Sequence, residues 1–268
     1  MRATLALVKQ HLKEQRLSTA VWAGMLALLS YMVVSIAPAV TADSYLLELL
    51  QNVSPSMAKL YGNLFAYKFP VDAFLQFKWM LFIPVLTMVY GVLAAMAIVA
   101  REVDQHSADF ALTLPITRTR LLLSRFGALT LNVALLYFTS WAAIWVGLRV
   151  AAIQASFVEY AYFYIGQFFI TLTLAAFTLW FSVLVAEYAL AVRVTLVTGV
   201  TLWTLQLTSR TLGGPLWLER LLLFGWVQTE PVIAQGLFPW GAVAVGSALT
   251  AFFLTMAARV FQHKQVVA

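Results

Sequence analysis

Apolar residues in this chain fall in long runs, not in alternation, interrupted only by Arg125 near the start of one run and Arg193 near the start of another. The runs cover residues 17–40, 79–100, 121–148, 160–186, 189–209 and 237–258. The hydrocarbon core of a bilayer is about 30 Å thick, and a helix needs roughly 20 apolar residues to cross it. Continuous runs of that length describe helices, since barrel strands alternate lipid-facing and lumen-facing residues. The pattern predicts an all-α membrane protein with six transmembrane helices in a single domain spanning 1–268.

Polar segments punctuate the runs. Residues 1–16 predict an amphipathic interfacial helix, with Leu5, Val8 and Leu12 on one face and Lys9, Lys13 and Arg16 on another, where they meet anionic headgroups; the same segment also fits a cytoplasmic helix that only helps orient the first span. The loop from Thr41 to Lys78 holds Asp43, Glu48, Asp72, Pro55 and Pro70, which exclude a span, and contains a short amphipathic helix at Tyr45–Leu50. Residues 101–120 form the long loop between spans two and three, and a brief turn near Arg149–Glu159 joins spans three and four. Glu187 and Arg193 are placed to pair at the next turn. After Gly213-Gly214-Pro215, the run LWLERLLLFGWV is too short to cross and reads as a short helix in the outer interface.

Composition agrees: 62% of the residues are hydrophobic and 10% charged, far from the quarter charged that is ordinary in soluble domains. The net charge of +6 reads as topology. With the N-terminus inside, the inner segments hold Arg2, Lys9, Lys13, Arg16, Arg101, Arg118, Arg120, Arg125, Arg193, Arg259 and Lys264, and the outer ones Lys59, Lys68, Lys78, Arg149, Arg210 and Arg220. That split of eleven to six obeys the positive-inside rule and puts both termini in the cytoplasm. A nucleic-acid surface needs basic residues interleaved with exposed aromatics, whereas here the aromatics lie mostly in the spans. A cleavable signal peptide is not expected, because the first apolar run is too long for its core.

Several chemistries lack their residues. There is no cysteine, and no Gly-Lys dipeptide from which a phosphate-binding loop could be built. His11, His106 and His263 are scattered, and Met80, Met88 and Met96 on the second span read as packing more than as a copper path. Neither a nucleophile elbow nor central span charges suggest an intramembrane hydrolase or a proton-coupled carrier. An enzyme is not expected, and no cofactor is assigned to this chain.

The loop AREVDQHSADFALTLPITRTRLLLSRF does carry a pattern. Ser107 is placed to cap a short helix whose first turn holds Asp109; Phe110 and Leu114 share one face; Pro115 stops it, and Thr117 caps the next helix. A short helix with an apolar knob suits a groove on another protein, although the same spacing also fits a loop helix packed on its own bundle. The loop resembles that of the six-span permeases of ABC-2 type exporters. Their first cytoplasmic loop has an Arg-Glu start, a Gly-Thr pair, an acid, a leucine run and then Pro-x-Ser/Thr-Arg. Arg101 and Glu102 match the start, Ser107 stands at the threonine, Asp109 at the acid, Leu112 and Leu114 in the leucine run, and Pro115, Thr117 and Arg118 at the end; His106 replaces the glycine.

The resemblance implies a coupling helix that seats on a separate nucleotide-binding subunit, with Glu102, Ser107, Asp109, Phe110, Leu114, Pro115, Thr117 and Arg118 at the contact. It further implies a second permease copy or paralogue, ATP and Mg on the partner, and a plasma-membrane location. In such exporters, ATP closes the ATPases and the two permeases alternate access. The alternative is an assembly or anchoring protein that uses the same ATPase without moving a cargo.

Overall fold

The computed structural model describes residues 2–41, 70–104, 118–185, 188–212, 215–228 and 230–263. Every regular element among them is helical: α1 (Arg2–Thr41), α2 (Pro70–Leu75), a π-helical turn (Gln76–Met80), α3 (Ile83–Asp104), α4 (Arg118–Val150), α5 (Phe157–Val185), α6 (Tyr188–Leu212), α7 (Leu216–Leu221), a 3-10 turn (Leu223–Trp226), a second π-helical turn (Glu230–Ala234) and α8 (Trp240–His263). Five of these helices, α1, α4, α5, α6 and α8, are long and apolar enough to cross a membrane. The described apolar stretch of α3, Ile83–Ile98, is shorter. Their outer faces are apolar as well: Leu17, Val21, Leu28 and Ile36 on α1, Leu131, Leu135 and Phe138 on α4, and Val197, Val200 and Leu205 on α6 are all exposed. A surface of that kind is tolerated against lipid rather than water. The chain is an all-helical membrane protein.

Proline marks several helix starts. Pro70 opens α2, Pro215 precedes α7 and Pro239 precedes α8; at a helix start the missing N–H costs nothing. α4 ends in a Schellman-type turn: Ala152 has φ 53°, its N–H reaches Arg149 O at 3.2 Å, and Ile153 N–H reaches Leu148 O at 3.0 Å. The chain then re-enters as α5 at Phe157.

α1 packs along α4, α8 along α5, and α3 lies against α5 and α6. Small residues permit the closest approaches. A Cβ at Gly147 would lie 2.9 Å from Val34 on α1, and one at Gly246 would lie 2.8 Å from Phe169 on α5. Met80, Met88 and Met96 are buried, as packing requires.

α1 departs from the sequence expectation. The interfacial segment 1–16 and the span from residue 17 are one unbroken helix of 40 residues. Lys9, Lys13 and Arg16 are exposed, but the side turned into the bundle carries His11, Gln15 and Thr19, one turn apart. Gln15 and Thr19 find partners on other helices, Asn132 of α4 and Tyr90 of α3, which draws the segment into the bundle. The helix at Tyr45–Leu50 and Glu187 of the Glu187–Arg193 pair lie outside the described residues; Arg193 is exposed.

Candidate functional site

The 101–120 loop leaves α3 and enters α4. Glu102 belongs to the last turn of α3, and Arg118 is the first residue of α4. Ser107, Asp109, Phe110, Leu114, Pro115 and Thr117 lie outside the described residues. Just within the bundle the two flanking helices are tied, because the Arg125 guanidinium on α4 donates to the Ile98 carbonyl of α3 at 2.9 Å. A charged donor on a backbone carbonyl makes a strong hydrogen bond. The base of the loop is therefore fixed in spacing.

Above that tie runs a seam of polar groups between α1, α3, α4 and α5. Asn132 donates to Gln15 at 2.9 Å, and Thr19 and Tyr90 hydroxyls are 2.9 Å apart. Tyr137 OH lies 2.7 Å from Thr87 and 2.8 Å from Thr171. Farther along, Ser140 bonds Ser30 at 2.6 Å and Tyr164 at 3.0 Å, and Trp79 Nε1 donates to Tyr164 OH at 3.0 Å. Such interhelical bonds contribute about 0.6 kcal/mol each on average in membranes, up to roughly 1.7. Their larger effect is to fix the register of four apolar helices that would otherwise slide.

At the far end of the seam sits Asp72, fully buried on α2. Its carboxylate accepts from the backbone N–H of Ser156 at 3.2 Å, from the Ser156 hydroxyl at 2.7 Å and from the Tyr160 hydroxyl. Ser156 immediately precedes α5, so the carboxylate faces the positive end of that helix. Burial still outweighs these hydrogen bonds and pushes the Asp72 carboxyl above the ordinary carboxylate range. The sequence reading left Asp72 as one charge among several in a loop; the only signal was its place just after Pro70, where acids favour a first helical turn.

A second group escaped the sequence reading. On α6, Gln206 and Ser209 are 5% and 6% exposed, yet Gln206 Oε1, Gln206 Nε2 and Ser209 Oγ have no hydrogen-bond partner among the described residues. A buried unsatisfied polar group costs about 1–3 kcal/mol. The signal in the sequence was two polar residues three apart in an apolar span.

Comparison with known proteins finds no matching family model, no matching curated protein and no matching solved structure. The functional reading rests on the residues themselves.

Proposed function

We propose that this chain is the membrane-spanning permease subunit of an ATP-driven ABC exporter. Six spans cross the plasma membrane, with both termini and the 101–120 loop in the cytoplasm; α3 is the span whose described apolar stretch is short. The observation that carries the reading is the loop pattern: Arg101-Glu102, then Ser107, Asp109 and the leucine run, then Pro115-x-Thr117-Arg118, set between two long helices. The Arg125–Ile98 tie supports it, since a loop that relays force needs a stiff base. The short α7 and its neighbouring turns before the last span suit the outer interface and fit the same layout.

The chain has no phosphate-binding loop of its own, so ATP and Mg belong on a separate nucleotide-binding subunit. Two permeases, identical or paralogous, then form the path. Affinity purification from the native membrane tests this. An ATPase carrying a phosphate-binding loop should co-purify, its turnover should change when this chain is added back, and the isolated chain should hydrolyse nothing. Recovery of the chain with no such ATPase, or turnover by the pure chain, would refute the reading. ATP-dependent solute movement in reconstituted vesicles then separates transport from anchoring.

A further inference from the structure

Six buried hydroxyls in these spans share one habit. Ser30, Thr87, Thr173, Thr178, Ser182 and Thr195 each donate to a carbonyl three or four residues back in their own helix. Ser209 does not, and its neighbour one turn back, Gln206, has both ends of its amide open among the described residues. The two stand three residues apart, on one face of α6. That face is covered by the 3-10 turn Leu223–Trp226. The backbone there comes close: a Cβ at Gly225 would lie 2.9 Å from Gln206 Oε1. The Gly225 N–H cannot serve the amide, because it donates to Leu222 O at 2.9 Å. The cover is closed on itself by Gln228 Nε2 donating to Glu219 Oε2 at 3.0 Å, so it does not depend on Gln206 for its shape.

The outside of the cover has a different character. Trp217 and Leu221, one turn apart on α7, are 63% and 73% exposed, and Leu205 beside Gln206 on α6 is exposed too. Apolar and tryptophan side chains presented in this way anchor a short helix at the membrane interface. A polar pair thus lies beneath a flap whose outer face belongs in lipid.

We propose that Gln206 and Ser209 bind the uncharged hydroxyl or carboxamide headgroup of a lipid-like amphiphile beneath the 215–228 flap. The three open atoms comprise an acceptor, a donor and a hydroxyl that is both, all neutral, so the matching group is neutral and carries both functions. An ionic headgroup would find no counter-charge on this pair. The apolar outer face of the flap favours a ligand whose chains remain in the bilayer over a free solute. The inference goes beyond the ATPase reading, because binding is measured on this chain alone and stands or falls without the partner.

The test uses the full chain in phosphatidylcholine nanodiscs, a lipid with neither hydroxyl nor amide in its headgroup, with diacylglycerol as the probe. The side-chain amide signals of Gln206, selectively labelled with 15N-glutamine, are assigned by their loss in Gln206→Leu. Diacylglycerol should shift these signals, and the apparent affinity, read from protein-wide shifts or thermal midpoint, should fall about tenfold or more in Gln206→Leu as one to two hydrogen bonds are lost. Ser209→Ala should weaken binding in the same direction and serves should Gln206→Leu fold poorly. Free glycerol and phosphatidylserine form the other arms. No shift with diacylglycerol, a shift with free glycerol alone, an equal response to phosphatidylserine, or exchange of the Gln206 amide with water and nothing else would each overturn the proposal.

Discussion

Asp72 accepts hydrogen bonds from both the backbone N–H and the hydroxyl of Ser156, at 3.2 and 2.7 Å, and so joins the start of α2 to the start of α5 across 84 residues of chain. One carboxylate thereby sets where the α2–α3 segment begins relative to α5.

The burial of that carboxyl makes stability depend on pH. Burial raises the Asp72 carboxyl above its unfolded value, so the folded state holds the proton more tightly than the unfolded one. Its stabilising contribution is fully present below the unfolded pKa of about 3.9 and is lost as pH rises through the folded pKa. Asp72→Asn should remove this slope. Denaturant unfolding followed by tryptophan fluorescence in micelles, from pH 4 upward, checks it; an unchanged slope in the variant would place the titration elsewhere. Asp72→Ala should cost about 1–3 kcal/mol at the acid end of that range, by leaving the Ser156 and Tyr160 donors unmet, and less as pH rises.

Ser140 joins α1 and α5 through Ser30 and Tyr164. Ser140→Ala should destabilise by about 1–2 kcal/mol, two membrane hydrogen bonds' worth, whereas Ser35→Ala should change little. Ser35 is exposed on α1 and bonds only the Met32 carbonyl. Equal losses from the two substitutions, by the same unfolding assay, would deny the seam its role in registering the helices.

Ala152 occupies the left-handed position that usually takes glycine at a helix C-terminus. Ala152→Gly should therefore raise stability by about 0.5–1 kcal/mol despite the greater freedom it gives the unfolded chain. A drop in thermal midpoint would show that the turn does not strain alanine.

The spans were legible because lipid demands continuous apolar runs, and α4, α5, α6 and α8 begin and end within a few residues of the expected limits. What escaped depends on contacts between distant segments. Nothing local marks Asp72 as buried, since its partners Ser156 and Tyr160 lie on another helix. Nor does local pattern reveal that His11, Gln15 and Thr19 turn inward: apolar periodicity favoured Leu5, Val8 and Leu12, while Gln15 and Thr19 are held by Asn132 and Tyr90. The loop motif was legible as a pattern, yet residues 105–117 lie outside the described ones, so its geometry adds only the tie at Arg125.

Orientation can be read directly, because the chain has no cysteine. Single cysteines at Gln10, His106 and Gln262 should resist an impermeant thiol reagent in intact cells, while those at Asn52 and Gly213 should react. Labelling of position 106 from outside would invert the topology and remove the loop from the reach of a cytoplasmic ATPase.

Phe110 is the residue on which the coupling assignment turns. The sequence sets it among charged and small residues, at a spacing from Leu114 that predicts one shared helical face. Removing such a ring from water is worth about 1.5–3 kcal/mol, and a well-packed anchor costs about 2 kcal/mol or more on truncation. Glu102 and Arg118 flank the loop at the ends of α3 and α4, and exposed rim charges contribute about 0–1 kcal/mol. Phe110→Ala should therefore weaken ATPase binding or stimulated turnover more than Glu102→Gln or Arg118→Gln. It should do so without lowering the amount of chain in the membrane, since no span is altered. Pull-down and ATPase assays at matched expression decide it. Full binding and full stimulation by Phe110→Ala would mean that the ring packs on its own bundle, and the contact with the ATPase would have to be sought elsewhere.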